Sequence, residues 1–500
     1  MGKRIFCLVL AAMMAFAAGA AAQEEKAYTL AGFDDTQYRN WETNLFFERM
    51  EKATGIRFEK VQYKKAAEWT AYKASLEKGQ DMPDVLFKAG LTGAECISLY
   101  EAGVLVDLKP YLEENCPNLW AYLTANPEAL EAVTLPGGQI VALPYISQTP
   151  VQNYIWVNMA WLEKTGKKMP ENAAELEDVL AAFRDMDLNK NGKADEIPLS
   201  FMGPFDLKFL AHAFGMTAND YNLYVKEGQV RFLPFDEQFR PFLEWCRDMY
   251  ANGLLEKDGF ILSTAMRSQQ VQSAEDTPIY GMIITPMAQD VFRNAYGDNY
   301  DILMPLEFNG SRVYRDFSGT VLRGTFAVTS ACEDVEKMLG WVDYLYSPEG
   351  NILMTAGIEK EDYFYNADGT WSLTQATEEN TYFTIMALIS GGATAPGLLN
   401  EEFQRNYADS KKMQKIMGQQ DAFKQYLVQP FPYYTLTEEQ QRRADEMQTL
   451  LGPCVDRMMG RFIKGEVELT DETYNAFLEE LRTLGADEFV AFWQQVLGAQ

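Results

Sequence analysis

Histidine is nearly absent from this 500-residue sequence: His212 is the only one. Cysteine is sparse as well, at six, and no Cys-x-x-Cys pair occurs. A structural zinc site or a Cys–His nucleophile needs clustered N and S ligands, and the sequence does not supply them. His212, within Phe209-Leu-Ala-His-Ala-Phe, is therefore read as a structural residue of a helical-looking stretch. Positive charge is also short. Lys and Arg number 44 against 72 Asp and Glu, for a net charge of −28. Phosphates of nucleic acid and anionic membrane surfaces both select Lys and Arg, so neither is the expected partner. Beyond the N-terminus, no stretch has the length and apolarity of a membrane-spanning helix. No fixed-period repeat and no long low-complexity linker are visible, so two lobes would be joined by short crossings, and more than once.

What is present begins with residues 1–22, which have the form of a signal peptide. Lys3 and Arg4 precede an apolar run from Ile5 to Ala17, and Ala20-Ala21-Ala22 supplies small residues for cleavage. Losing Lys3 and Arg4 with that segment takes the net charge from −28 to −30. The residues before Cys7 do not resemble a lipid-attachment motif. The expectation is an exported protein, in the periplasm or at the cell surface. Five cysteines remain: Cys96, Cys116, Cys246, Cys332 and Cys454. An odd count leaves at least one without a disulfide partner.

The start of the mature chain alternates strand and helix. Segments 27–33, 57–63 and 84–87 read as strands, and 41–54 and 66–77 as helices, the first stopped by Gly55. This order predicts a parallel α/β sheet, in which ligands bind beyond the carboxyl ends of strands. A second α/β region begins at Tyr154, with strand-like segments at 279–284, 300–303 and 320–328. From Thr437 onward the chain is mainly helical.

The sharpest local pattern is Asp187-Leu-Asn189-Lys-Asn191-Gly192-Lys193-Ala-Asp195-Glu196. Oxygen side chains fall at alternate positions, and Gly192 permits the sharp turn. Calcium takes six to eight hard oxygen ligands, and a chain wrapping an ion presents alternate residues to it. Lys193 would contribute its carbonyl. Position twelve is Pro198, so Asp195 or Glu196 would have to close the shell. The flanking segments read as a helix (172–186) and a strand (197–201). A solvated polar turn is the alternative.

Several runs together resemble the extracellular solute-binding proteins of ABC importers, in particular the subgroup of alginate-oligosaccharide and related sugar binders. They are Met50-Glu-Lys-Ala-Thr-Gly-Ile-Arg, Met82-Pro-Asp-Val, Tyr100-Glu-Ala-Gly-Val-Leu-Val-Asp-Leu-Lys-Pro-Tyr-Leu and Leu143-Pro-Tyr. Trp161-Leu-Glu-Lys-Thr-Gly with Pro170 and the oxygen-rich loop follow. Trp341-Val-Asp-Tyr-Leu-Tyr-Ser-Pro-Glu-Gly and Phe462-Ile-Lys-Gly-Glu complete the set. The resemblance implies a type II periplasmic-binding-protein fold. Two α/β lobes, each a mixed sheet flanked by helices, would close on a carbohydrate like a hinge, with a helical C-terminal region. Lobe 1 would comprise 23–145 and about 306–350, and lobe 2 would comprise 146–305 and about 351–500. A structural calcium ion would sit at Asp187, Asn189, Asn191, Lys193, Asp195 and Glu196. The partner would be an ABC transporter permease, and the protein a monomer without enzymatic activity.

By the same resemblance, strand ends place Asp35, Lys88 and Arg323 on the first lobe's side of the cleft. Phe205, Asp206, Met287 and Gln289 fall on the second lobe's side. Trp41 and Trp156 are aromatic candidates, because sugar sites pair an aromatic face with hydrogen-bonding groups. Trp156 sits in the alternating Tyr154-Ile-Trp-Val-Asn and reads equally well as core. Lys88 and Arg323 suggest an acidic guest. Asp35 and Asp206 suit the hydroxyls of a neutral one. A secreted carbohydrase and a sensory binding protein are the competing classes.

Overall fold

The computed structural model describes residues 27–498 apart from 37, 150, 275–276, 292–298, 376–381, 393 and 408–410. The expected signal peptide, residues 1–22, lies outside the described residues.

Parallel strands need a crossover of a dozen or more residues, and the early sequence provides two. Tyr28–Phe33 pairs in parallel with both Phe58–Tyr63 and Val85–Phe87. The helices Leu45–Thr54 and Ala66–Leu76 make the returns. Asn44 caps the first helix by accepting from Phe46 N, and Gly55 ends it at φ 73°, a left-handed conformation that glycine adopts without a Cβ penalty. The first sheet has six strands, in the order Gly397–Leu398, Leu143–Ile146, Val321–Val328, Val85–Phe87, Tyr28–Phe33 and Phe58–Tyr63. Val321–Val328 runs antiparallel to both neighbours, and its register shifts between Leu322 and Phe326. Gly324 lies inside that irregularity at φ 70°, and a Cβ there would stand 2.1 Å from Leu91 O.

Strand alternation sends neighbouring residues to opposite faces. Leu30, Phe87, Phe326 and Val328 join a core with Trp341 on one face. Ala31, Leu86 and Ala327 join a second core on the other. Burial on both faces explains why these strands read as apolar runs.

The second sheet has four strands, in the order Tyr300–Ile302, Tyr154–Asn158, Tyr280–Thr285 and Ile197–Ser200. Its largest core includes the C-terminal helices through Leu451, Val455, Phe462, Phe477 and Trp493. Glu438–Ile463 begins with a complete capping box between Thr437 and Gln440, so its start is written locally in the sequence.

The two sheets meet end to end. Leu143–Ile146 finishes at the carboxyl end of the first sheet, and the chain passes through residues 147–153 to Tyr154. Tyr154 pairs with Thr285, at the carboxyl end of the second sheet's Tyr280–Thr285. Residues 316–320 return from Tyr314–Arg315 to Val321. Gln152 on the first crossing donates to Asp316 Oδ1 (2.8 Å) on the second and accepts from Phe317 N (3.1 Å). Both sets of strand ends therefore face the space beside these crossings.

Two lobe boundaries differ from those expected. Leu306 and Tyr314 are buried in second-lobe cores, so the return to the first lobe comes at about residue 316 and not 306. Residues 351–407 were expected in the second lobe, yet Gly397–Leu398 pairs with Tyr145–Ile146 in the first sheet. A buried ion pair, Arg49–Asp362 at 2.6 Å, fixes the same segment to the helix Leu45–Thr54. A two-residue strand and a single distant ion pair leave no periodic trace, which is why the sequence did not show this. No described helix is long and apolar enough to cross a membrane.

Candidate functional site

At the first lobe's strand ends a small ion network is sealed off. Asp34 follows Tyr28–Phe33, and its Oδ2 meets Lys88 Nζ at 2.7 Å, Arg39 Nη1 at 3.4 Å and Trp41 Nε1 at 3.4 Å. Arg39 Nη2 donates to Met386 O at 3.1 Å. Asp34, Arg39 and Lys88 are each at most 6% exposed. Burial works to raise the Asp34 pKa, but Lys88 and Arg39 beside it hold it below the usual carboxylate value. Burial pulls the Lys88 pKa down, against the opposing pull of Asp34. Lys88 also takes a left-handed backbone, φ 53°, so strain is held at this point. Gly392 covers the cluster: a Cβ there would meet Arg39 Nη1 at 2.0 Å.

The second lobe's strand ends are different in kind. Asp206, six residues past Ser200, is 3% exposed. It accepts from Met202 N (2.7 Å) and from Asn153 Nδ2 (3.2 Å). Burial raises its pKa to about 6, partly offset by the Met202 N–H and by Arg267. Next to it Phe205 is 37% exposed, and Phe317, on the second crossing, is 36% exposed; their ring centroids are 5.8 Å apart. Behind these rings lies the buried guanidinium of Arg315, 5.3 Å from the centroids of Phe209 and Phe317 and 5.8 Å from that of Phe205. It is ion-paired with Asp220. The result is a partly exposed pair of rings, backed by a buried cation, beside a buried carboxylate.

Not every predicted residue reaches this space. Asp35 is exposed at the end of the first strand, and Met287 packs partly buried against a second-lobe core. The side chain of Gln289 lies outside the described residues. Trp41 is 2% exposed, packed on Phe47 and Phe87, so it is a core ring and not a sugar platform. Trp156 is fully buried, and its Nε1 donates to Thr285 O at 2.9 Å; the core reading of its alternating pattern holds. Arg323 donates to Tyr434 O (2.8 Å) and Thr435 Oγ1 (3.3 Å), which ties the first sheet to the segment leading into the C-terminal helices. Lys88 faces Asp34 and not open solvent. Sequence reasoning missed Phe317 and Arg315. The signal available was Tyr314-Arg-Asp-Phe-Ser-Gly, an aromatic ring in a turn where a strand would bury it. His212 is fully buried, its Nδ1 2.6 Å from Phe209 O, in keeping with a structural role.

The oxygen-rich loop is wrapped as its spacing suggests. Asp187 accepts from Asn191 N (3.1 Å) and Gly192 N (3.0 Å), and Asn189 Oδ1 accepts from Asn191 N (3.0 Å). Asn191 Oδ1 accepts from Lys193 N at 2.8 Å. The amides of Asn189 and Asn191 both donate to Asp195, at 2.8 to 3.0 Å. Glu196 Oε1 accepts from Leu188 N at 2.8 Å and Asn189 N at 3.3 Å. Gly192 stands at φ 74°, which no side chain favours. The helix Ala173–Asp185 and the strand Ile197–Ser200 flank the loop. No group of three His, Cys, Asp or Glu that could hold a metal occurs among the described residues. The side-chain oxygens of Asn189 and Asn191 here accept backbone N–H groups and their NH2 groups face Asp195; calcium accepts amide oxygens as well as carboxylates, so rotation of the two amides would add them to Asp187, Asp195 and Glu196.

Comparison with known proteins agrees with this architecture. The fructooligosaccharide ABC transporter substrate-binding protein FusA of Streptococcus pneumoniae is 27% identical over 339 residues, covering 64% of this chain and 60% of FusA. Lipoprotein LipO of Bacillus subtilis is 23% identical over 292 residues, 53% of each chain. The sequence matches thus span little more than half the length of these relatives. The structure of FusA with kestose superposes with a TM-score of 0.71 at 22% identity, over 95% of this chain and 99% of that one. FusA has also been solved as an EF-hand mutant. An HMO-binding ABC-transporter-associated solute-binding protein from Bifidobacterium longum infantis gives a TM-score of 0.78 at 18% identity, with the same coverage. The fold is the two-lobed type II architecture. The model of the bacterial extracellular solute-binding protein family matches residues 46–359, and the chain belongs to that family.

Proposed function

We propose that the protein captures an oligosaccharide between its lobes and delivers it, unchanged, to an ABC importer in the membrane. The observation that carries this is the exposed Phe205–Phe317 pair beside buried Asp206, set where the strand ends of two lobes face one another. A sugar ring lays its C–H face on an aromatic ring, and exposed aromatic pairs at the mouth of a cleft suit that contact. Export through residues 1–22 would place the protein outside the cytoplasm.

A neutral sugar suits the geometry better than an acidic one. Lys88 is buried and hydrogen-bonded to Asp34, and Arg323 is committed to Tyr434 and Thr435, so neither is aimed at a guest carboxylate. Turnover is not expected. Among the described residues the buried carboxylates of the second lobe, Asp206 and Glu256, are engaged by Met202 and Asn153, and by Ser200 and Gln270. Glycoside hydrolysis instead needs a pair of carboxylates flanking the bond.

The loop at 187–196 fits calcium. Asp187, Asn189, Asn191, Asp195 and Glu196, with the Lys193 carbonyl, would hold the ion and fasten a helix to a strand of the second sheet. When bound, it supplies structural stability.

Calorimetry with neutral and uronate oligosaccharides tests the reading. At least one neutral member should bind saturably and be recovered intact. Tight binding of uronates alone would overturn the neutral assignment, and reducing ends that grow with time would point to an enzyme.

A further inference from the structure

Arg315 is a buried cation with few partners of its own. It is 5% exposed, and its link to Asp220 is its one side-chain hydrogen bond among the described residues; Nε and Nη1 have no acceptor. The Asp220 side chain is 64% exposed, so that pairing is half in solvent. Asp316, the next residue, is taken up by Gln152 Nε2 (2.8 Å) and Gly319 N (3.0 Å). A buried ion held this loosely is costly, and an apolar side chain of similar volume often replaces one at no loss of stability. What surrounds the guanidinium instead is rings: Phe209 and Phe317 at 5.3 Å and Phe205 at 5.8 Å.

These rings come from two mechanically different parts of the chain. Phe205 and Phe209 stand on Gly203–Leu207 and Lys208–Phe214, which pack into the second lobe's largest core through Leu207 and Leu210. Phe317 stands on residues 316–320, a crossing that must absorb any change in the angle between the lobes. Arg315 belongs to the second lobe. Tyr314–Arg315 pairs with Leu427–Val428, and the buried Tyr314 ring lies 4.8 Å from that of Phe423 in a second-lobe core. A guanidinium attracts ring faces and stacks on them, so it can join a ring of the crossing to rings of the lobe.

We infer that Arg315 is a positioning residue that pins Phe317 to the second lobe, so that Phe205 and Phe317 meet a guest as one fixed surface whatever the angle between the lobes. This rests on the oligosaccharide reading for what the rings hold, and not for the pinning itself.

The test replaces Phe317 by para-fluorophenylalanine and records its fluorine NMR signal in the full chain without ligand. The unlabelled proteins are then titrated by calorimetry with the neutral oligosaccharide panel, kestose included. Native protein is compared with Arg315→Met, Arg315→Lys and Asp220→Asn. The Asp220 carboxylate is largely exposed, so its variant should fold even where Arg315→Met fails. A sharp native signal should broaden or split in Arg315→Met and stay nearly sharp in Arg315→Lys, whose ammonium can still sit over a ring. Asp220→Asn should change it in the same direction, but less. Arg315→Met should keep or raise the melting temperature, yet bind the panel's best member about fivefold more weakly, with partial rescue by Arg315→Lys. A merely structural role gives the reverse, a lower melting temperature with signal and affinity unchanged, and would overturn the inference. So would an unchanged signal in Asp220→Asn where Arg315→Met does not fold, or native affinity despite a loosened ring. A loosened ring in a protein whose native form binds no member of the panel would uphold the pinning and overturn the oligosaccharide reading.

Discussion

In the first lobe the strand ends close upon themselves: Asp34 is gripped by Lys88 and Arg39, and Gly392 lies over the cluster. In the second lobe the corresponding ends carry two partly exposed rings, Phe205 and Phe317, with Asp206 buried beside them. The contrast separates two tasks that a hinged binder must perform. One wall is stiff, built on a buried carboxylate gripped by two cations, and the other offers adhesive surface. Ligand then shifts an open–closed population, with most of the attraction coming from one side.

The largest effect should come from breaking the stiff wall. Replacing one member of a buried, hydrogen-bonded ion pair typically costs about 3–5 kcal/mol, because the partner is left buried and uncompensated. Asp34→Asn, which would leave Lys88 and Arg39 buried without their carboxylate, is expected to lose that much in urea denaturation; Lys88→Ala, after which Asp34 keeps Arg39, should lose less. Lys88→Gly should lose about 1 kcal/mol less than Lys88→Ala, because glycine relieves the left-handed backbone at φ 53°. Equal losses would mean that the backbone there carries no strain.

The softer wall should show itself through pH. Asp206 has its folded-state pKa raised to about 6, above its ordinary value of 3.8. Its folded form therefore binds protons more readily than its unfolded form. Its contribution to stability is most favourable below about pH 4 and is lost as pH rises to about 6. His212 acts oppositely in the same window. Its pKa is depressed to about 4 by burial, so its burial costs stability as pH falls from about 6.5 to 4. A comparison of native protein with Asp206→Asn isolates the carboxylate. The native-minus-variant stability should fall by on the order of 2–3 kcal/mol from pH 4 to pH 6. A flat difference would mean that Asp206 is hydrated and titrates normally.

Calcium comes next. An ion at one hundred times its dissociation constant adds about 2.7 kcal/mol to the native state. Chelation should lower the melting temperature of native protein, calcium should restore it, and Asp187→Ala should abolish the response. A chelation-insensitive native protein would reduce loop 187–196 to a polar turn.

The two lobes were unequally legible from sequence. Strand–helix alternation marked the parallel part of the first sheet: Tyr28–Phe33 and Val85–Phe87 are buried and largely apolar, while the edge strand Phe58–Tyr63 is half-polar and stood out by its place after Gly55. Caps at Asn172 and Thr437 marked helix starts, since capping is a local interaction, whereas the first helix was read from residue 41 and begins after its cap at Asn44. The oxygen spacing of 187–196 was visible for the same reason. The partners of Lys88 and Arg323 were not, because Asp34 and Tyr434 lie 54 and 111 residues away. Position at a strand end indicated nearness to the ligand space but not what else would occupy the charge. Trp41 and Trp156 show the same limit: an aromatic near a strand end is as easily core as platform, and only packing decides.

The central claim, that the open rings of the second lobe hold an intact sugar, is tested most directly by calorimetry on native protein and Phe317→Ala with the tightest-binding oligosaccharide of the panel. The account predicts saturable binding to native protein, recovery of the sugar unchanged, and affinity about tenfold weaker in the variant, about 1.4 kcal/mol, measured at a temperature where its melting curve shows it folded. Equal affinity in the two proteins would contradict it, as would the absence of binding to native protein across the panel.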